Sequence, residues 1–317
     1  MWQASPVRVW RSIEEVPADL GSTVVTIGNF DGVHLGHQHV VRRAREVAAE
    51  RGLDTVVAVT FHPHPFAVLR PEHAPMTLTS IDDRVALLGE AGIDDVLVLP
   101  FDREIAAWSP EEFIDRVLVG ALRAAAVVVG ANFRFGNKAA GDVALLTAAG
   151  AERGFAVAGV ALDGGPQVWS STYVRACVSS GDVEGAAEAL GRPFSVHGVV
   201  VEGDKRGRAL GFPTANVPAT EVAAVPADGV YAGWLRRLDT GERFPAAISV
   251  GTNPTFDGKR ERRVESYVLD RDDLELYGVE VEVCFCHHLR GMEKFDGIDA
   301  LVAQMHDDVR RTRELLD

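Results

Sequence analysis

Positive charge is in short supply. Against 46 acidic residues the 317-residue chain sets 32 lysines and arginines, a formal net charge of −14. A nucleic-acid backbone is therefore not expected as the main partner, because such binding rests on Lys and Arg neutralising phosphates. Long apolar runs are missing too: none approaches the ~18–20 residues of a membrane span. Met1-Trp2-Gln3-Ala4 lacks the basic-then-apolar pattern of a signal peptide. Cysteines number three, Cys177, Cys284 and Cys286. The last two lie two apart on one side of an expected strand and read as core residues rather than as a disulfide or a metal site. A thiol-containing chain without a leader is expected in the cytoplasm, with no membrane partner. Internal repeats and low-complexity segments are also lacking.

What remains is an ordinary globular composition, 47% hydrophobic and 25% charged, long enough for two domains. Its first half turns on one stretch, Thr26-Ile27-Gly28-Asn29-Phe30-Asp31-Gly32-Val33-His34-Leu35-Gly36-His37-Gln38. A β-branched run, Val24 to Ile27, precedes it and reads as a buried strand; helix formers follow to Arg51. A strand that ends in a glycine-rich turn and opens a helix builds an anion site, since free N–H groups and the helix dipole meet there. His34 and His37, three apart, share a face of the first turn and can both donate to phosphate oxygens. Gly36 between them permits close approach of a ligand. The motif is neither GxxxxGK[ST] nor GxGxxG. It resembles the His-x-Gly-His signature of nucleotidylyltransferases, which transfer a nucleotidyl group and release pyrophosphate.

Strand and helix signals alternate through this half. Expected strands are Val24–Gly28, Thr55–Phe61, Val96–Leu99, Ala125–Val129 and Phe155–Val160, after a short one at Val7–Trp10. Expected helices are Leu35–Arg51, Ile81–Ala91, Pro110–Val119, Val143–Arg153 and Tyr173–Ser179. Such alternation predicts an α/β domain with a doubly wound parallel sheet, whose ligand lies beyond the carboxyl ends of the strands. Polar and glycine-rich motifs do follow the strands: Phe61-His62-Pro63-His64-Pro65, Gly130 to Gly136, and Trp169 to Arg175. Four motifs are thus expected to converge on one cleft. Ser170 or Ser171 can cap the helix near Tyr173, where Thr172 and Arg175 suit ATP phosphates. Asn132 and Arg134 can hold a phosphate or ribose. His64, stiffened by two prolines, contacts substrate or shapes the cleft; metal ligation by His62 and His64 is not expected without further ligands.

A helical pattern at Val183–Leu190 closes this domain, and the boundary is placed near residue 187, giving 1–186 and 187–317. Beyond it short strands follow one another: Phe194–Glu202, Val230–Leu238, Phe244–Val250, Arg263–Leu269 and Val279–Cys286. Strands without crossover helices predict a mainly β domain, an antiparallel barrel. The last helix, with Ile298, Leu301, Val302, Met305 and Val309 on one stripe, is expected to pack on it. The loop Gly203 to Asn216 combines glycines and cations with Pro213-Thr214-Ala215-Asn216 and can wrap polyphosphate. Thr214 and Asn216 offer hard oxygen donors suited to Mg²⁺. Glu265 stands on a strand whose alternate residues are apolar; it is either a solvated strand residue or a functional acid.

Taken together, Gly28–His37, Phe61–Pro65, Gly130–Gly136, Ser170–Arg175, Gly203–Asn216, Val250–Pro254 and Val264–Asp270 resemble, in order, the bacterial bifunctional riboflavin kinase/FAD synthetase family. The resemblance implies two reactions with ATP. The barrel phosphorylates riboflavin to FMN; the first domain adenylylates FMN to FAD and releases pyrophosphate. It implies His34, His37 and Glu265 as catalytic residues and Thr214 and Asn216 as ligands of Mg²⁺. It implies nucleotide or phosphate contacts at Gly28, Asn29, Phe30, Asp31, Gly36, His64, Asn132, Arg134, Ser171, Thr172 and Arg175. In the barrel it implies such contacts at Gly203, Lys205, Arg208, Gly211, Pro213 and Asn253. The partners are small molecules, and the oligomeric state stays open. The competing reading is a monofunctional nucleotidylyltransferase carrying a non-catalytic flavin-binding barrel.

Overall fold

The structure, a computed structural model, describes residues 7–161, 169–203, 210–220, 222–254, 260–271 and 273–317, with backbone alone at 252–254, 260 and 261. The chain forms two compact units, Met1–Ser170 and Ser171–Asp317.

The first unit runs β1 (Arg8–Trp10), β2 (Thr23–Ile27), α1 (Leu35–Arg51), β3 (Val56–His62), α2 (Pro65–Leu69), α3 (Ile81–Glu90) and β4 (Asp95–Pro100). It continues with α4 (Pro110–Phe113), β5 (Ala124–Gly130), α5 (Val143–Arg153) and β6 (Ala156–Val160). The six strands are parallel in the order β1-β4-β3-β2-β5-β6. Alternate strand residues feed opposite faces. Val25, Ile27 and Val127 join Trp108, Phe113 and Leu118, whereas Val24, Ala126 and Val128 join Val40, Val41 and Ala44 of α1. Both faces are therefore covered, as continuous apolar strands require. The winding reverses between β2 and β5, and their carboxyl ends are the place where such sheets take a ligand.

Most helix ends obey local chemistry. Ser80 caps α3 through the Asp83 amide, 3.0 Å, and Ser109 and Glu112 form a reciprocal capping box on α4. Two expectations differ. Pro110–Val119 is not one α-helix: after Phe113 the chain widens into a π-helix, Ile114–Ala121, with Leu122 N–H reaching Val117 carbonyl at 2.9 Å. The one-turn helix α2 has too few residues to carry a periodic signal.

The second unit opens with α6 (Ser171–Ser180) and α7 (Val183–Leu190). Strands β7 (Phe194–Val199), β8 (Thr214–Pro218), β9 (Gly229–Arg237), β10 (Arg243–Pro254), β11 (Arg260–Val268) and β12 (Glu280–Gly291) precede α8 (Ile298–Leu316). The sheet is antiparallel in the order β7-β12-β9-β10-β11-β8. It curls until Val201, just past β7, meets Asn216 of β8 in a single antiparallel bridge, N–H to carbonyl 2.9 Å. Strand β8 begins inside what the sequence suggested was a loop ending at Asn216; it is short and follows Pro213.

Helix α8 does pack on the sheet, but not by the expected stripe alone. Ile298 is exposed, Leu301, Val302, Met305 and Val309 are half-buried, and the buried positions are Asp308 and Thr312. Asp308 is gripped by Arg290 of β12 at 2.7 Å, and Leu316 packs on Val230, Ala232 and Leu289. An ion pair does part of the work assigned to apolar contacts.

Candidate active sites

In the first unit three of the four motifs stand where expected, at the carboxyl ends of the neighbouring strands β3, β2 and β5. The fourth, Ser171 to Arg175, begins α6 in the second unit.

The turn after β2 is bent tightly. Phe30 (φ 49°), Gly32 (φ 82°) and Val33 (φ 42°) all lie in the left-handed region, a strained conformation for Phe and more so for a β-branched residue. Phe30 and Val33 endure it because both are buried. His34 caps α1: its Nδ1 accepts from the His37 amide at 3.4 Å, so the neutral ring carries its hydrogen on Nε2. The imidazoles of His34 and His37 stack, centroids 3.6 Å apart and 24° between planes, with Phe30 edge-on to His37 at 5.2 Å. Part of His37 stays exposed, but its Nδ1 is buried and without a hydrogen-bond partner. Burial, then the neighbouring His34 and Arg84, hold its pKa well below the ordinary imidazole value. His37 is thus a neutral ring near pH 7, able to donate one N–H without carrying charge.

Several expected nucleotide contacts take other duties. Asp31 is buried, and its carboxylate accepts from the amides of Leu78 (3.0 Å) and Thr79 (3.1 Å), the Thr79 hydroxyl (3.2 Å) and Arg84 (3.3 Å). Phe30 packs in the core and against Gly28, whose absent side chain makes room for its ring. The side chains of these two residues shape the turn. At Gly36 an added Cβ would come within 3.1 Å of the His34 ring and 3.3 Å of the Trp169 carbonyl.

His64 caps α2, its Nδ1 accepting from the Phe66 amide at 3.2 Å. Its Nε2 lies 3.3 Å from the amide nitrogen of Asn29. The motif after β3 is so tied to the motif after β2. Beyond β5, Asn132 and Arg134 are exposed; Arg134 lies 3.4 Å from Asp142, and Phe133 stacks on Phe135. Arg84, which closes this region from α3, was not singled out from the sequence. It lies 53 positions from Asp31, and no local pattern links them.

In the second unit register assembles the site. Glu265 on β11 faces Asn216 on β8 and Ser249 on β10, and Tyr267 faces Thr214. Directly opposed residues point to one face, so Thr214, Asn216 and Glu265, from distant parts of the sequence, share a surface. Phe212 is buried edge-on to Tyr267 and to His306 of α8, 5.1 Å from each, which anchors the preceding turn at Gly211 (φ 88°). Asn216 is buried, its amide nitrogen donating to the Thr214 carbonyl (3.2 Å) and hydroxyl (3.4 Å). Gly203 lies against it: a Cβ there would come within 2.6 Å of the Asn216 amide. A cleft runs here, lined by Val200, Gly203, Pro213, Thr214, Asn216 and Tyr277 among others.

The donor set fits Mg²⁺. The two side chains that would offer neutral oxygens are tied together by the Asn216 amide nitrogen donating to the Thr214 hydroxyl, and the hydrogen at Gly203 keeps the cradle open. Among the described residues no three His, Cys, Asp or Glu side chains gather into a metal cage. Lys205 and Arg208 lie outside the described residues, and for Asn253 only the backbone, paired with Glu261, is described.

Comparison with known proteins agrees with this division. The family model for FAD synthetase matches residues 16–172, and that for riboflavin kinase matches residues 190–316. The bifunctional riboflavin kinase/FMN adenylyltransferase of Escherichia coli (strain K12) is 37% identical over 311 residues, covering 97% of this chain and 96% of its own length. The protein of that description from Bacillus subtilis (strain 168) is 34% identical, covering 92% of each. A crystal structure from Streptococcus pneumoniae, described as a macrolide-efflux protein, has 30% identity and a TM-score of 0.86, covering 98% of this chain and 99% of that one. Among the described residues here, no helix is long and apolar enough to cross a membrane.

Proposed function

The chain belongs to the bifunctional riboflavin kinase/FMN adenylyltransferase family, and from that premise we propose how its residues divide the two reactions. Riboflavin and ATP give FMN in the second domain; FMN and a second ATP give FAD and pyrophosphate in the first. The observation that carries the division is that each half holds its own phosphate-handling constellation: paired histidines at the start of α1, and Thr214, Asn216 and Glu265 on one face of β8 and β11.

For adenylylation, a phosphate oxygen of FMN attacks the α-phosphorus of ATP. No base is needed, because that phosphate is already ionised. His34 and His37 donate hydrogen bonds to the oxygens on which charge grows, the usual place for such stabilisation. Keeping His37 neutral lets the two rings stack without repulsion. Asn29, His64, Asn132 and Arg134 surround the nucleotide. Ser171, Thr172 and Arg175, at the start of α6, are assigned the leaving pyrophosphate on the strength of the family resemblance.

For phosphorylation, the 5′-hydroxyl of riboflavin attacks the γ-phosphorus of ATP and ADP leaves. Glu265 orients that hydroxyl and takes its proton. Gly203, Lys205, Arg208, Gly211, Pro213 and Asn253 are assigned to the nucleotide. Thr214 and Asn216 would hold Mg²⁺, which when bound neutralises phosphate charge. The two catalytic domains are drawn as 1–186 and 187–317; the compact units of the fold divide earlier, between Ser170 and Ser171, and the family matches leave 173–189 between them. The reading makes this a cytoplasmic enzyme with small-molecule partners.

Incubation with riboflavin, ATP and Mg²⁺, followed by chromatography of the flavins, tests it. FMN should appear first and FAD after it, and chelation of Mg²⁺ should stop the first step. FAD from supplied FMN with no FMN from riboflavin would instead favour a non-catalytic barrel.

A further inference from the structure

We propose that Arg84 is the positioning residue of the adenylylation site: its guanidinium, sunk between Asp31, Thr60 and the Thr79 carbonyl, fixes the strained turn that carries His34 and His37. The inference rests on the reading of those histidines as the adenylylation pair.

Arg84 is 3% exposed. A guanidinium in such a place is costly unless its surroundings answer its charge. Its Nη2 lies 3.3 Å from Asp31 and 3.5 Å from the Thr79 carbonyl, and its Nη1 lies 3.5 Å from the Thr60 hydroxyl. Each neighbour in turn holds the strained segment. Thr60 donates to the Asn29 carbonyl at 3.0 Å, and the Thr79 hydroxyl accepts from the Gly32 amide at 3.2 Å. Asp31 belongs to the turn itself. The turn is therefore pinned at residues 29, 31 and 32, around the left-handed Phe30 and just before the left-handed Val33. Dihedrals of this kind persist only where the surroundings over-determine them. His34 caps α1 straight after Val33, so the direction in which the turn leaves decides where both imidazoles stand.

The same guanidinium acts on His37 through space. The titratable groups that act on that ring are His34 on the turn and Arg84 on α3. Burial of the ring and the charges of His34 and Arg84 oppose its protonation. A merely structural arginine would leave that property unmoved by a mutation that keeps the fold. The two roles separate chemically. Lysine can keep the charge but, as a point donor, cannot bridge Thr60 and Asp31 as the fork does. Methionine keeps the length and removes the charge.

The test uses the full chain and measures FAD formation from supplied FMN across pH, with riboflavin kinase activity and FMN binding as controls. Arg84→Met should lower kcat for FAD formation on the order of 10²-fold. Its acid limb should move to higher pH, toward the ordinary imidazole range, while FMN formation is unchanged. Arg84→Lys should return the acid limb to its wild-type place yet leave kcat reduced. Wild-type kcat and acid limb in Arg84→Met overturn the proposal. If that variant no longer binds FMN, Arg84→Lys decides: an undiminished kcat overturns it, and a reduced kcat with the limb in place supports it. FAD formation undiminished in His37→Ala would instead overturn the histidine assignment beneath it.

Discussion

The turn before α1 and the face shared by β8 and β11, both assigned here to the phosphates of ATP, are built from opposite materials. The first relies on backbone bent into the left-handed region and held by a buried Asp31–Arg84 pair. The second relies on strand register: Asn216 faces Glu265 because the two strands pair, and its amide is oriented by Thr214 two residues away. A pinned turn concentrates its cost and its function in one short segment. A row across strands spreads the cost over the ladder of a sheet that would form anyway. Substitutions should therefore be more separable in the barrel than in the turn, and each activity should fail without the other.

The largest effect is expected at Glu265. Removing an acid that takes a proton in the transition state costs roughly 10²–10⁴-fold. Glu265→Ala should thus abolish FMN formation in practice while supplied FMN is still converted to FAD. Loss of both products would mean that the two sites are not independent. His37→Ala is its mirror image. It should lower FAD formation roughly 10²–10³-fold, the usual cost of one transition-state donor, and leave FMN accumulating from riboflavin. Comparing the two variants by flavin chromatography sharpens or breaks the division into two sites.

A smaller effect is expected from Gly203→Ala. The added Cβ would sit 2.6 Å from three atoms of the Asn216 amide, which is buried and already committed to Thr214. The amide must turn, and the oxygen assigned to Mg²⁺ turns with it. The Mg²⁺ concentration at half-maximal kinase activity should rise about tenfold, equivalent to ~1.4 kcal/mol. Adenylylation should keep its Mg²⁺ dependence. An unchanged kinase midpoint would remove Asn216 from the metal.

The same contrast decides what the sequence could reveal. Helices α1, α5 and α7 carry local caps and periodicity, and their bounds match the expectation residue for residue. The parallel sheet and its motif-bearing carboxyl ends followed from alternation. The pairing of His34 and His37 was legible because they stand three positions apart at the start of one helix. By contrast, the facing of Glu265 and Asn216 depends on pairing between strands 49 positions apart, and no spacing rule encodes that register. The inward use of Asp31 was hidden for the same reason, since its partners lie 47 to 53 positions away. Strand β8 was hidden by Pro213 and its brevity, and the ion pair under α8 by the habit of reading docking faces from apolar residues alone.

The smallest effect on catalysis is expected at Glu282, and it separates stability from function in the barrel. In the turn, the buried carboxylate and the site are the same structure; in the barrel they are not. Glu282 on β12 faces His197 of β7 and Arg236 of β9, with contacts of 3.2 and 2.7 Å. Burial alone would push its carboxyl up, but hydrogen bonds from His197, Arg236 and Ser195 and the charge of His197 outweigh this and bring it to about 2, from an ordinary 4.5. A carboxylate with a depressed folded pKa stabilises above its unfolded value and loses that contribution as pH falls through the folded one. The window here runs from 4.5 down to about 2. Its size is roughly 3 kcal/mol, at about 1.4 kcal/mol per pH unit, with little solvent screening because the side chain is only 16% exposed. Glu282→Gln should accordingly lower the denaturation midpoint of the barrel at pH 7 and leave both activities at their wild-type values. As the pH falls from 4.5 toward 2, the gap between variant and wild type should close. A gap that stays constant with pH would show that the pair contributes through packing, and a loss of kinase activity at pH 7 would show that stability and function are joined in the barrel as they are in the turn.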